Sequence, residues 1–419
     1  MKRSLLNAAR GLVIATAAVL TGCATNTMTG RSQLMLVSEQ QAIKGSVSAY
    51  SGMIGGFARK KKLELATARV RRVKEITNRL VAEAVRFRPD AASWSWEVQV
   101  IEEPKTVNAF CMAGGKMGIY TGFWEKLDAS DDEVAAVMGH EIGHALASHT
   151  REKMSVGMAA GVGATLLAAL VSSRSSSSFD TNRAAFTSAA ALAVTLPNSR
   201  EAETEADQIG IELAARAGFD PRAAVTLWEK MAKQSGARLE FLSTHPSPEN
   251  RAQRLNELIA KVDPLYERAK SGGPPDIPDF LSANPSERPA GTLSRADYAA
   301  RVSAEPQAMT FISEDFDRFK SGQAVLACGA ECALVYTFQK STWKTLHEKQ
   351  AWRELAIRVV KVGYENDLSY YLLAEAAKGL GLQDAAAAYY KRAAEAQAGG
   401  KTCGGAFNTC DGFVIGDAR

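Results

Sequence analysis

Histidine is scarce in this sequence, with five in 419 residues. A charge excess is missing as well. Fifty Lys and Arg stand against 46 Asp and Glu, a formal net charge of +4. That balance excludes a polybasic nucleic-acid protein and an acidic disordered tail. No patch interleaves basic and aromatic residues as a nucleic-acid surface would, so no nucleic-acid partner is expected. Thirteen prolines and 33 glycines give no collagenous or low-complexity signal. No apolar run clearly reaches the ~20 residues of a spanning helix. The nearest, 156–171, is rich in Ala, Gly, Val and Leu and reads as a tightly packed or membrane-grazing helix. The length exceeds one small core and suggests two or three units.

What is present begins at the N-terminus. Lys2, Arg3 and Arg10 accompany the apolar run Gly11–Leu20, which meets Leu20-Thr21-Gly22-Cys23. This resembles the lipobox of bacterial lipoproteins. Residues 1–22 are then a signal peptide, Cys23 the lipidated N-terminus, and 23–38 a lipidated tether. Ala24 in place of Asp points, by the same resemblance, to the periplasmic face of the outer membrane. Cleavage removes three cations and leaves the mature chain close to neutral. Of the six cysteines, Cys111 reads as a small buried thiol in a strand. Cys328, Cys332, Cys403 and Cys410 suggest two disulfides with three possible pairings. A zinc site made of those four is disfavoured, because their spacings are not CxxC pairs.

Residues 39–88 carry helical periodicity. Residues 94–122 read as strands around the hairpin signal Ala113-Gly114-Gly115. Ser130 with Glu133 forms a capping box that opens a helix over 131–154. Arg200–Ala217 is a second helix, closed by Gly218. Asp220-Pro221 and Ser247-Pro248 each announce another. Residues 271–292 hold five of the 13 prolines, which predicts a linker between a domain over 39–270 and a helical region over 293–419. In that region Tyr370, Leu373, Ala374, Gly381, Ala386, Tyr390 and Ala393 fall at tetratricopeptide-repeat spacing over one repeat.

Three of the five histidines fall within ten residues. His140-Glu141-Ile142-Gly143-His144 is HExxH on a helix. At about 100° per residue, i and i+4 lie roughly 40° apart, so both imidazoles can reach one zinc ion. Glu141 lies beside the open position and can take a proton from water. His149, roughly 140° round a continuous helix from His144, cannot join them, and reads as a surface residue or an outer neighbour. A third ligand is needed. Glu201, Glu203 and Glu205 on the second helix all qualify by spacing, and Glu203 shares a face with Asp207.

These residues, with the blocks TGRSQLMLVSEQQ, VNAFCMAGGKMGIYTG, SREAETEAD, QIGIELAARAGFDPRAA and STHPSPENRAQRL, resemble a zinc metallopeptidase family in family order over about residues 28–260. The family includes the CAAX prenyl proteases and the HtpX membrane proteases. The chain resembles in particular its periplasmic BepA- and LoiP-type lipoprotein proteases. The resemblance implies an α+β fold: a mainly helical zincin-type (minigluzincin) domain with a small β-sheet, followed here by the tetratricopeptide-like helical region. It implies zinc held by His140, His144 and Glu203, with Asp207 behind a ligand histidine. Glu141 is then the catalytic base; His245 faces the metal site, either to support an oxyanion or to sit on zinc until substrate arrives, and Arg200 either helps the oxyanion or pairs with Glu201 or Glu203. Asn108, Ala109 and Phe110 form an edge strand for an extended polypeptide substrate. The expected activity is an endopeptidase acting on unfolded or misassembled envelope proteins. The alternative is a chaperone-like or assembly-factor protein with a latent protease site, whose helical C-terminal region binds an envelope partner.

Overall fold

Capping chemistry and apolar spacing decide where the helices run in the computed structural model of the chain. The structure describes residues 23–26, 28, 31–159, 187–193, 195–234, 240–245, 251–272, 276–281, 293–304, 316, 318–327, 333–403, 410 and 412–413. The signal peptide expected over 1–22, Cys328, Cys332, and the apolar stretch from residue 160 onward lie outside them. Contacts divide the chain into two units, Met35–Met309, and Met1–Leu34 with Thr310–Arg419.

In the first unit, Ser38 and Gln41 close a capping box at the start of α1 (Glu39–Arg59). Helix α2 (Ala68–Phe87) starts at the N-cap Thr67 and buries Val70, Val73, Ile76, Leu80 and Val81, the stripe of an amphipathic helix. Strands β3 (Glu97–Ile101), β4 (Ala109–Met112) and β5 (Lys116–Tyr120) form a sheet of order β3-β5-β4. β5 runs parallel to β3 and antiparallel to β4, with Ala109 opposite Ile119. β4 is therefore an edge among the described residues. Gly114 and Gly115 both turn at φ +81, and a side chain at Gly115 would meet the Trp96 ring at 2.4 Å.

After α3 (Gly122–Leu127) comes α4 (Asp131–Leu146), opened by the Ser130–Glu133 capping box. The single helix expected over 131–154 is two. α4 stops at Leu146, Ser148 takes φ +59, and α5 (His149–Ala159) begins at once. Arg88 accounts for the break: its guanidinium donates to the Leu146 carbonyl at 3.0 Å and to Ser148 Oγ at 3.3 Å, satisfying a carbonyl at the helix end.

Helix α6 (Arg200–Arg216) starts at Ser199, whose side chain accepts from Ala202 N. α7 (Ala223–Lys233), α8 (Glu240–Thr244), α9 (Arg251–Ser271) and α10 (Arg295–Ala304) complete the unit. The proline-rich stretch departs from a free linker in its described part. Asn78 of α2 donates to the Pro278 carbonyl and accepts from Phe280 N, and Phe280 is buried. Tyr298 of α10, also buried, donates to the Ala82 carbonyl. Apolar anchors on both sides of residues 282–292 thus dock on α2.

In the second unit, β1 (Cys23–Thr25) pairs antiparallel with β2 (Ser32–Leu34), a short hairpin within the segment expected to be a tether. Helices α11 (Ala333–Glu348), α12 (Trp352–Val362), α13 (Asp367–Gly379) and α14 (Gln383–Ala398) share a core that includes Trp343, Leu355, Leu372, Leu373 and Tyr389. Gly381, at φ +75, turns α13 into α14. Cys403 and Cys410 form a disulfide. No helix among the described residues is long and apolar enough to cross a membrane.

Candidate metal centre

Glycine lets two helices meet closely enough to assemble the site. Gly139 and Gly143 lie on the α4 face that crosses α6. A side chain at Gly139 would come within 2.8 Å of the Gly210 carbonyl, and one at Gly210 within 2.5 Å of His140 N. A Cβ at any of these positions would push the helices apart. The close antiparallel crossing carries Glu203 and Asp207 onto the histidines of α4.

The result is a buried four-residue cluster. Ligand atoms of His140, His144, Glu203 and His245 all lie within 4.8 Å of one another. His140 Nε2 lies 3.0 Å from His144 Nε2 and 3.4 Å from Glu203 Oε2, and His144 Nε2 lies 3.3 Å from Glu203 Oε1. His245, stacked on Phe241 with ring centroids 4.3 Å apart, brings Nδ1 to 3.0 Å from Glu203 Oε1 and Nε2 to 3.4 Å from Glu141 Oε1. The two-imidazole, one-carboxylate set of His140, His144 and Glu203 suits zinc. Glu141 Oε1 is buried and makes no hydrogen bond, with His245 Nε2 at 3.4 Å, which points to a ligand or proton that belongs beside it.

Outer neighbours hold these groups. Asp207 Oδ1 lies 3.0 Å from His140 Nδ1. Arg251, almost fully buried, donates to Asp207 at 2.5 Å and to Glu203 at 3.2 Å. Its guanidinium lies 3.5 Å over the Trp228 ring. Asn198 Nδ2 donates to Glu203 Oε1 at 2.8 Å. His149 is buried, with Nδ1 at 2.7 Å from His144 Nδ1 and Nε2 at 2.9 Å from Glu205 Oε2.

Burial and neighbouring charge set the protonation of the centre. Burial works against ionising Glu203, but the His245 charge and hydrogen bonds from His140, His144 and His245 outweigh it and hold the carboxyl well below its usual range. Burial, with the Glu203 charge, pushes Glu141 up, which His245, His140 and Lys153 oppose. Burial keeps His144 neutral, the form a metal needs. It acts in the same direction on His140, where bonds to Asp207 and Glu203 prevail and raise the pKa to about 9.

The cleft over this cluster is lined by Asn108, Ala109, Phe110 and Cys111 on one side, and by Glu141, His144, Lys153 and His245 on the other. The expected edge-strand residues and the HExxH side chains therefore share one cavity. Cys111 is a buried free thiol. Among the three candidate glutamates, Glu203 faces the histidines of α4, Glu205 faces His149, and Glu201 is exposed. Arg200 is exposed at the start of α6, outside the cluster, and Arg251 supplies the cation beside Glu203. Arg251, Asn198 and Lys153 were not singled out from sequence. Arg251 left one trace: it shares the α9 stripe of buried Leu255 and Val262, where an apolar residue would be ordinary. Lys153, drawn down to about 8 by burial against the pull of Glu141 and Glu203, left none.

An HExxH helix crossed by a second helix bearing a buried glutamate defines a zinc metallopeptidase centre able to bind one metal ion. Residues 67–259 match the family model for Peptidase family M48, and this stretch, which holds the cluster, is similar to that family. It is 41% identical over 181 residues to the mitochondrial metalloendopeptidase OMA1 of Arabidopsis thaliana, covering 42% of this chain and 35% of that one. The metalloprotease LoiP of Escherichia coli is 32% identical over 163 residues, with 37% and 60% covered. The Escherichia coli beta-barrel assembly-enhancing protease is 31% identical over 181 residues, with 39% and 36% covered. The chain spans between about a third and a half of the length of the OMA1 relatives from Arabidopsis thaliana, Schizosaccharomyces pombe and Saccharomyces cerevisiae.

Proposed function

We propose that the chain is a zinc endopeptidase of the bacterial envelope that hydrolyses unfolded or misassembled envelope proteins. One observation carries this reading: His144 and His245 of the metal-ligand cluster, the buried Glu141 and the edge-strand residues Ala109–Cys111 line a single cleft. An extended peptide pairs with β4 through its backbone, which gives affinity with little sequence preference. His140, His144 and Glu203 would hold zinc, which would supply a Lewis acid for the scissile carbonyl and for water. Glu141 accepts the proton of the attacking water at a carboxylate made more basic by burial, then delivers it to the leaving amine. His245, 3.4 Å from Glu141, donates an N–H toward the developing oxyanion. Asp207 and Arg251 keep His140 and Glu203 in place.

The lipobox-like Cys23 supports a lipid anchor on the periplasmic face of the outer membrane. The α13–α14 hairpin, with buried Tyr370, Leu373, Ala374, Ala386 and Ala393 at the expected spacing, supports a tetratricopeptide-like unit that holds a client or an envelope partner. The test is Glu141→Gln assayed on casein, with zinc measured in the same sample. Zinc should stay and hydrolysis should fall by about 10²–10⁴-fold or more. Casein cleavage at the wild-type rate would contradict the mechanism.

A further inference from the structure

The two ligand histidines of α4 are supported differently. On His140 a carboxylate, Asp207, sits directly at Nδ1. On His144 the same place is taken by a second imidazole, His149, and the carboxylate of Glu205 stands one step further out. His144, His149 and Glu205 are all buried, so water does not substitute for these contacts. The proton positions then follow. If His144 offers Nε2 to a metal, its ring proton is on Nδ1 and is donated to His149 Nδ1. His149 must carry its own proton on Nε2, and that N–H donates to Glu205 Oε2. One carboxylate at the end of the chain orders both tautomers.

The backbone is shaped for this contact. On an unbroken helix His149 would point about 140° away from His144. The left-handed Ser148, at φ +59, ends α4 and restarts the chain as α5, which turns His149 back onto His144. A non-glycine residue held at positive φ is uncommon and costs energy, so something local must hold it. Arg88, bonded to Leu146 O and Ser148 Oγ, does so.

We propose that His149 and Glu205 are positioning residues that fix the tautomer and orientation of His144 and thereby raise the zinc affinity of the centre. This rests on the assignment of zinc to His140, His144 and Glu203. The test compares zinc affinity of the metal-free full chain, by competition with a chromophoric chelator, for wild type, His149→Phe, His149→Asn and Glu205→Leu. Phe keeps a ring but accepts no hydrogen bond, whereas Asn keeps an acceptor near Nδ1. His149→Phe should bind zinc about 10–100-fold more weakly, with Asn recovering most of the loss and Glu205→Leu falling between them. Wild-type affinity in the Phe variant, or equal losses in Phe and Asn, overturns the proposal. If circular dichroism shows the Phe variant unfolded, Glu205→Leu decides: unchanged affinity overturns it. Wild-type protein that takes up no zinc would remove the metal assignment itself, a failure visible before any variant is compared.

Discussion

The two units bury their polar groups for different purposes. In Met35–Met309, charged and ionisable side chains lie buried together: His140, Glu141, His144, His149, Glu203, Glu205, Asp207, His245 and Arg251. In the C-terminal unit the buried volume is filled by Trp343, Tyr336, Leu372, Leu373 and Tyr389. Two of the polar groups buried beside them, Asn366 and Asp367, serve backbone. Asn366 caps α13 by accepting from Ser369 N, and Asp367 accepts from Leu368 N and Cys403 N. Concentrated buried charge is costly unless paired or bound to a metal. Among the described residues of Met35–Met309, that cost is most concentrated where Arg251 and the ligand set converge. Its stability should therefore depend on metal, while that of the C-terminal unit should not.

The sharpest way to break this contrast is Arg251→Met. It leaves buried Glu203 and Asp207 without their cation and should cost about 3–5 kcal/mol in the metal-free protein, read by denaturant unfolding. Added zinc should restore part of that loss, and a cost near zero would mean that the cluster is not under electrostatic strain.

Next in size is a pH effect. Burial pulls His140 down, but its bonds to Asp207 and Glu203 prevail and hold the folded pKa at about 9 against 6.5. Stability from that proton is complete below pH 6.5 and is lost as pH rises through about 9. Metal-free protein should weaken across that window, and the rise in Tm on adding zinc should grow across it.

On the C-terminal side, Tyr389→Phe removes the hydroxyl that donates to the Phe319 carbonyl at 3.0 Å and accepts from Ala324 N at 3.1 Å. It should cost about 1–3 kcal/mol with no change in zinc content, and a change in zinc content would dissolve the contrast. The smallest effect is Ser130→Ala. Loss of the capping box should cost about 1 kcal/mol and leave the zinc stoichiometry intact.

Local signals carried far in this chain. The capping box at Ser130, the glycine turn at 114–115 and the HExxH spacing each describe short-range geometry, and each element formed where the local chemistry placed it. What was hidden depended on residues distant in sequence. The break at Ser148 is held by Arg88, sixty residues earlier, so periodicity alone extends α4 too far, and of the two readings of His149 the structure has the outer neighbour of His144. Arg251 meets Glu203 across 48 residues and is silent as a motif. The proline cluster has a linker's composition, yet Phe280 within it and Tyr298 just after it find α2 to pack on. Choosing Glu203 over Glu201 and Glu205 needed the family resemblance, because three alternate glutamates on one helix differ only in which neighbour each meets.

The most direct measurement is the zinc-to-protein ratio of the purified chain beside Glu203→Gln. The account predicts one zinc per chain in the wild type and its loss in the variant. A wild-type protein that cleaves casein without zinc, or a Glu203→Gln protein that keeps its full complement, would contradict it.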